Sequence, residues 1–132
     1  FSQMNQTAEK KPVHAAIRVQ IPENKRHEAL MILNSVIELI KLEEGCVSCR
    51  LYQDLRDGAL LLEQDWSSQS DLERHLRTDR LHTVLLVVEM AVESPEIRFD
   101  VIEQTTGMET IKKIRKKPLP AAAESDSLHR QS

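Results

Sequence analysis

A long helical pattern separates the first two strand patterns of the chain, and this spacing constrains the fold more than any other feature. Residues 13–21 alternate between apolar and polar side chains, which is typical of a strand with one buried face. Pro22 ends this strand, because proline fits the first turn of a helix but not a strand ladder. Over residues 23–44, apolar side chains recur at steps of three and four, which predicts a helix with one buried stripe. Strands joined by such a helix cannot form a hairpin, so the sequence predicts a β-α-β unit.

The remainder of the chain adds a hairpin, a helix in two pieces and a last strand. Asp57-Gly58 lies between two strand patterns, and this pair supplies the positive φ that a tight hairpin turn requires. The helical pattern after the hairpin is interrupted near Asp79, which we expect to cap the second piece. The predicted elements are strands at 46–54, 59–66 and 96–104 and helices at 69–77 and 80–92. The sequence therefore predicts one α+β domain with the order β-α-β-β-α-β.

The apolar residues of the later elements predict which faces are buried. Side chains alternate along a strand, so Val47, Cys49 and Leu51 are expected to share one face of the second strand. The predicted buried stripe of the second helical piece consists of Leu81, Val84, Leu85, Val88 and Val92. We place the domain at residues 12–106, after a flexible segment at 1–11. A short helix at 107–117 and a disordered tail at 118–132 are expected to follow.

Charge and composition argue against two classes of partner. The chain has 18 Lys and Arg against 21 Asp and Glu, a balance unlike that of proteins dedicated to nucleic acids or membrane surfaces. A basic cluster at 112–117 has no interleaved aromatic residue, so we interpret it as a solvated helix end, with a nucleic-acid patch as the alternative. No apolar run approaches the about 20 residues of a membrane span, and no signal-peptide pattern is visible. We expect a cytoplasmic protein with no nucleic-acid or membrane partner.

Cys46 and Cys49 form a CxxC motif within the predicted second strand. Redox pairs with this spacing lie at the start of a helix, where the helix activates the thiol. Three residues of strand span about 10 Å, which exceeds the Cα separation of about 7 Å that a disulfide tolerates. No second pair of Cys or His is spaced to complete a zinc site. We therefore favour two reduced strand residues and no metal site over the alternative of a redox or metal motif.

A set of short motifs in a fixed order resembles the antibiotic biosynthesis monooxygenase family. The apolar strand 60–66 ends in Trp66, and the following helix carries the pair His75-Leu76. The dipeptide Gly45-Cys46 before the second strand also fits, and the resemblance covers about residues 12–106. It implies a ferredoxin-like α+β fold whose sheets pair face to face in a homodimer, the dimeric α/β barrel. It also implies a pocket between sheet and helices, and oxygenation of a small aromatic or quinol by molecular oxygen without a cofactor.

The resemblance implies that His75 and Trp66 form the catalytic site. His75 shares one helical face with Leu72 and Leu76, so it lies at the edge of the predicted buried stripe. An imidazole exchanges its proton near neutral pH, which suits the removal of a phenol or quinol proton. Trp66 is the only tryptophan, and its ring could stack on an aromatic substrate. The alternatives are a helix histidine with local contacts and a tryptophan that packs in the core or a dimer interface.

Three further polar residues lie on the strand faces opposite the main apolar set. Arg18, Arg50 and Tyr52 could each orient a ligand oxygen, although each could equally face solvent or a dimer partner. The predicted sheet has two faces and only one layer of helices, so we expect a second copy to cover the other face, because exposed apolar strand faces are costly.

Departures from the family pattern support an alternative function. Cys49, Gln64 and Arg80 each stand where the family commonly has another residue type, and only 3% of the residues are aromatic. This pattern favours a non-catalytic dimeric module that binds a small molecule or a protein.

Overall fold

A computed structural model describes residues 10–116 of the chain. Its elements are β1 (Val13–Val19), α1 (Glu23–Ile40), β2 (Cys46–Gln53), β3 (Leu60–Trp66), α2 (Gln69–Leu76), α3 (Asp79–Val88), β4 (Glu96–Val101) and α4 (Met108–Lys116). The predicted order of strands and helices is confirmed, including the break in the second helix. The predicted tail at 118–132, and most of the predicted flexible segment at 1–11, lie outside the described residues. Within residues 10–116, no helix has the length and hydropathy needed to cross a membrane.

The four strands form one antiparallel sheet in the order β2-β3-β1-β4. The register places Val13 of β1 between Trp66 of β3 and Val101 of β4. Directly paired residues point to the same side of a sheet, so these three side chains face one way. This α+β arrangement is the ferredoxin-like fold that the resemblance implied.

Helices α1 and α3 pack against each other and over one face of the sheet. The buried side chains of α1 recur at helical spacing and meet the alternate residues of β1 and β3. In α3 the buried residues are Val84 and Val87, whereas Leu85 is 39% and Val92 63% exposed. The prediction that Leu85 and Val92 belong to the buried stripe is therefore wrong. Helix α3 already ends at Val88, and Val87 takes the place three residues after Val84.

The predicted pattern of β2 is wrong at Val47, which is 68% exposed. The pairing of β2 with β3 shifts between Cys46 and Ser48, so an extra residue is inserted at a β-bulge. The bulge removes Val47 from the alternation, while Cys49 stays buried on the helix side.

The face of the sheet without helices, called the bare face below, is charged and not apolar. Its residues are His14, Ala16, Arg18, Ser48, Arg50, Tyr52, Leu61, Glu63, Asp65, Glu96, Arg98 and Asp100. His14 Nδ1 lies 2.9 Å from Asp65 Oδ1, and Arg18 bridges β1 to the β2–β3 turn through Asp57 at 2.6 Å. The physical reason given for the dimer, an exposed apolar face, is therefore wrong for this face, while the dimer itself stays a prediction.

Candidate functional site

The loop after α1 and the start of α2 are held together at Gly45. Gly45 has φ of 84°, and a Cβ there would collide with the Asp71 side chain. Ser67 donates its backbone N–H to the carbonyl of Gly45 at 2.9 Å. Glycine is the residue that tolerates both the positive φ and the close approach. This contact fixes the loop that carries Glu43 beside the helix that carries His75.

Helix α2 begins with a hydrogen-bonded cap. Ser68 Oγ accepts a hydrogen bond from the Asp71 backbone N–H at 3.2 Å, as expected of an N-cap serine. Burial opposes ionisation of the Asp71 carboxyl, but hydrogen bonds from Ser67, Arg74 and Ser68 outweigh it and lower its pKa. The carboxylate therefore stays charged near the positive end of α2, where a negative charge is stabilising.

The second piece of the helix is capped by a different residue from the one predicted. Thr78 Oγ1 accepts from the Leu81 backbone N–H at 3.3 Å, and Asp79 is the first residue of α3. The Ser68 cap defines where α2 begins, and the Thr78 cap starts the next helix shortly after α2 ends. His75 therefore sits in a short helix whose position is fixed at both ends.

The side chains of His75 and Trp66, which the resemblance assigns to one site, meet in the interior. Their ring centroids are 4.7 Å apart, and the rings are inclined by 27°. His75 is 1% exposed and Trp66 is fully buried. Trp66 Nε1–H donates to Gln64 Oε1 at 2.9 Å, so its one polar group is satisfied. The two rings form a stacked pair with fixed orientation between β3 and α2.

Glu43 determines which nitrogen of His75 carries the proton. His75 Nδ1 lies 3.0 Å from Oε1 and 3.1 Å from Oε2 of Glu43. Arg80 Nε donates to Glu43 Oε2 at 2.6 Å. A carboxylate accepts hydrogen bonds and does not donate them, so the Nδ1 of a neutral His75 carries its hydrogen. The lone pair of that imidazole then lies on Nε2.

His75 Nε2 is buried and has no hydrogen-bond partner among residues 10–116. Buried polar atoms normally have a hydrogen-bond partner, so an unpaired acceptor in a packed interior indicates either a catalytic role or a bound water. An imidazole with Nδ1–H on a carboxylate and a free Nε2 is the arrangement used by general bases. The Glu43–His75 pair therefore has the geometry of a base with an orienting partner.

Gln64 links the stacked pair to Cys49 on β2. The two residues are paired across β2 and β3, and a hydrogen bond joins their side chains. Burial raises the pKa of the Cys49 thiol to about 12, and the Gln64 contact offsets only part of this effect. Cys46 and Cys49 are both free thiols. A thiol with so high a pKa is a poor nucleophile at neutral pH, so Cys49 acts as a packing residue.

The interface between sheet and helices contains a cavity of about 10 Å³. It is lined by Ile17, Val19, Leu33, Leu60, Leu62, Val84, Val87 and Val88, and it does not reach Trp66 or His75. A volume of this size holds at most one water, whereas ligand pockets measure about 300–1,000 Å³. This cavity therefore does not admit an aromatic ring in the conformation described.

Arg18, Arg50 and Tyr52 lie on the bare face, across the sheet from Trp66 and His75. Arg50 is paired with Glu63, and both Arg18 and Tyr52 are paired with Leu61. The sheet therefore separates them from the stacked pair within one chain, as follows from their predicted place on the strand faces opposite the main apolar set. Their role in ligand binding stays a prediction, and it concerns a second surface.

Sequence reasoning missed Glu43 and gave Gln64 and Arg80 only as departures from a pattern. Glu43 lies in a loop, 32 residues before His75. The nearest signal in the sequence is Gly45, because a glycine directly after a helix is typical of a turn with positive φ. In the described range 10–116, no cluster of three or more His, Cys, Asp or Glu residues is arranged to hold a metal ion.

Comparison with known proteins gives both a family and a fold. The sequence model of the family described as antibiotic biosynthesis monooxygenase matches residues 12–84. The uncharacterised protein sll1783 of Synechocystis is 25% identical over 87 residues. That match covers 65% of this chain and 55% of the relative, so the chain spans about half the length of that curated protein.

Solved structures repeat the architecture along most of the chain. A conserved protein from Methanosarcina mazei superimposes with a TM-score of 0.65 at 24% identity, covering 70% of this chain and 93% of that one. Rv0793 from Mycobacterium tuberculosis gives a TM-score of 0.66 at 22% identity, covering 73% and 99%. A structure described as an antibiotic biosynthesis monooxygenase gives 0.62 at 17% identity, covering 68% and 98%. At these sequence identities, the structural similarity establishes the fold and does not establish an activity, a substrate or a partner.

Proposed function

The chain belongs to the antibiotic biosynthesis monooxygenase family, and on that premise we propose that it is a cofactor-independent monooxygenase acting on a small aromatic or quinol substrate. One observation carries the proposal. His75 has its Nδ1 on Glu43, its ring on Trp66 and a buried Nε2 without a partner among the described residues. This is the arrangement that a base needs if it is to take a proton from a bound hydroxyl group.

The proposed reaction uses electrons from the substrate itself. His75 Nε2 removes a proton from the quinol or phenol, and the resulting anion transfers one electron to molecular oxygen. The substrate radical and the superoxide combine to form a carbon–oxygen bond, and the imidazolium of His75 returns its proton to the resulting peroxide. Loss of water, with cleavage of the O–O bond and a C–H bond, then leaves a carbonyl group. One oxygen atom enters the product and the other becomes water, so a substrate RH₂ and O₂ give RO and H₂O. Electrons and atoms balance without a further reductant.

Glu43 and Trp66 have distinct roles in this proposal. The Glu43 carboxylate orients the ring and stabilises the imidazolium that forms when Nε2 accepts the proton. Arg80 holds the carboxylate from its other side at 2.6 Å. Trp66 fixes the plane of the imidazole and supplies an apolar wall for an aromatic ligand. Because His75 is 1% exposed, the proposed reaction requires a change of conformation that opens a path from solvent to Nε2.

Oxygen uptake with a panel of quinols tests the proposal. We expect wild type to consume oxygen with at least one of them, and His75→Ala to be slower by about 10²–10⁴, the contribution of a positioned base. His82→Ala is the matched control, because His82 lies on α3 and is exposed. It should retain the wild-type rate. No uptake by wild type, or equal rates for wild type and His75→Ala, would contradict the assignment.

A second candidate is a non-catalytic dimeric module that binds a small molecule or a protein. The burial of His75 and Trp66 favours it, because neither ring is accessible to a ligand in this conformation. A ligand that raises the melting temperature of wild type, without any oxygen uptake or product, would support this reading against the enzyme.

The proposal includes a homodimer and a cytoplasmic location. In the dimer, the bare faces of two copies would meet with arginines and carboxylates of both copies in alternation, which suits a two-fold axis. The free thiols of Cys46 and Cys49 are compatible with a reducing compartment. Light scattering of the whole chain tests the first point, since a monomer at micromolar concentration contradicts it.

A further inference from the structure

Helix α4 has a strong local signature although it buries none of its residues. Glu109 Oε2 accepts a hydrogen bond from the Gly107 backbone N–H at 3.0 Å, which satisfies a donor near the start of the helix. This bond lowers the pKa of the Glu109 carboxyl, so a negative charge lies where the helix dipole favours it. Basic residues fill the last turn, where the dipole favours cations. The sequence therefore specifies this helix without help from the core.

The apolar residues of α4 form one broad exposed face. Met108, Ile111 and Ile114 recur at steps of three and are 60%, 52% and 54% exposed. A step of three residues turns a helix by about 300°, so each of these side chains is displaced by about 60° from the one before. The three together spread over about 120° of the helix surface. A seam that packs on a partner helix alternates steps of three and four instead, which keeps it narrow.

The charge of α4 differs from that of the whole chain. Four of its nine residues are basic and one is acidic, whereas the whole chain has a formal charge of −3. The basic residues are Lys112, Lys113, Arg115 and Lys116, and none of them has an ion-pair partner among residues 10–116. The expectation of no membrane partner used the charge of the whole chain, which does not describe this helix. Helix α4 also lies outside residues 12–84, the range that the family model matches.

A broad apolar face with flanking cations fits an anionic lipid surface better than it fits two other partners. Nucleic acids would bind the cations, but α4 has no aromatic side chain to stack on a base, and its apolar face would stay exposed. A protein groove selects apolar anchors at i, i+3 or i+4, and i+7, but the seventh residue after Met108 is Arg115. A lipid surface is planar and fluid, so it accepts a broad face whose long cationic side chains reach the headgroups.

We propose that α4 binds an anionic membrane surface, with its apolar face at the boundary between headgroups and acyl chains and its cations on lipid phosphates. A helix of nine residues is shorter than the about 12–15 at which isolated helices become marginally stable in water, so burial of this face stabilises it. Its length of about 14 Å is less than half of a bilayer core of about 30 Å, so it lies in the plane of the surface. Binding is reversible, because three side chains bury little area, and it does not depend on the catalytic site.

Co-sedimentation of the whole chain with lipid vesicles tests the proposal. We expect wild type to bind vesicles of phosphatidylcholine and phosphatidylglycerol in equal parts. It should bind phosphatidylcholine alone at least about tenfold more weakly, because each cation near an anionic surface contributes about fivefold. Added salt should weaken the binding, since it screens the attraction. Absence of binding to the anionic vesicles overturns the proposal, and so does binding of single-stranded RNA in their place.

Single substitutions separate the apolar face from the cations. Ile111→Ser removes apolar area at constant charge, and Lys112→Gln removes one cation, so each should weaken vesicle binding by about fivefold. Leu55→Ser is the control for the first, because Leu55 is a fully exposed apolar residue of the β2–β3 turn. Lys25→Gln is the control for the second, because Lys25 is exposed on α1. Both controls should bind as wild type does.

The pattern across these variants decides which surface binds. If Lys112→Gln weakens binding and Ile111→Ser does not, charge alone attracts the chain, and the proposed burial of the apolar face is overturned. If neither variant of α4 weakens binding, or if the controls weaken it equally, another surface is responsible and the proposal is overturned as well. Melting temperatures equal to that of wild type would show that the variants are folded.

Discussion

Glu43 is the residue whose substitution tests the site most sharply, because one carboxylate serves two donors. It accepts from His75 Nδ1 at 3.0 Å and from Arg80 Nε at 2.6 Å. Glu43→Gln retains the size of the side chain but replaces one acceptor oxygen with an NH₂ group. That group is itself a donor, so at least one of the two contacts is lost.

The magnitude follows from the burial of each contact. The bond to His75 is buried, with side-chain exposures of 1% and 10%, and a hydrogen bond to a charged group contributes about 1.5–3 kcal/mol. Arg80 is 36% exposed, so its pair is screened by solvent and adds about 1 kcal/mol or less. We therefore expect Glu43→Gln to lower the free energy of unfolding by about 2–4 kcal/mol.

Urea denaturation followed by tryptophan fluorescence measures this loss, since Trp66 is the only tryptophan and stacks on His75. Glu38→Gln is the control, because Glu38 is 72% exposed and its ion pair among residues 10–116 is with Lys41, at the end of the same helix. It should cost no more than about 0.5 kcal/mol. If Glu43→Gln costs as little as Glu38→Gln, the carboxylate does not hold His75 and the description of the site is wrong.

Three other substitutions or titrations have expected outcomes. Gly45→Ala should destabilise the protein by at least about 1–3 kcal/mol in thermal denaturation, because φ is 84° and the new Cβ meets Asp71, whereas Gly107→Ala at an exposed position should not. The Asp71 carboxyl has a lower pKa in the folded protein than in the unfolded chain, so it stabilises the fold at pH values above the unfolded pKa, and this contribution should be lost as pH falls below about 4. In Asp71→Asn the loss of stability in acid should be smaller. An identical pH profile of stability for the variant and wild type would contradict the assignment. A thiol reagent at neutral pH should leave Cys49 unmodified until urea unfolds the chain, since its pKa is about 12; rapid labelling of Cys49 in the native protein would exclude the burial described.

The order of elements was predictable because each one has a local signature. The alternation of β1, the helical spacing of α1 and the turn at Asp57-Gly58 are readable within a few residues. The break between α2 and α3 was predicted as well, although Thr78 and not Asp79 provides the cap. The prediction of buried residues was wrong where burial depends on how one strand pairs with the next. The bulge at Val47 depends on the pairing of β2 with β3, which the sequence of β2 alone does not contain.

The candidate site was predictable only in part, for the same reason. His75 and Trp66 lie in regular elements, and their proximity follows from the order of β3 and α2. Glu43 lies in a loop, and its contact with His75 spans 32 residues, so no periodic pattern connects them. Arg18, Arg50 and Tyr52 were correctly placed on the other strand face, so the sheet separates them from Trp66.

The central claim is that Glu43 holds His75 with a basic Nε2 available for proton transfer. Nitrogen-15 NMR of the histidine rings measures this directly, because protonated and unprotonated ring nitrogens have well-separated shifts. In the neutral ring, we expect Nδ1 of His75 to carry the hydrogen and Nε2 to have the shift of a free acceptor, and Glu43→Gln to weaken this preference. A hydrogen on Nε2 in the wild-type protein, or a tautomer that Glu43→Gln does not change, would contradict the claim.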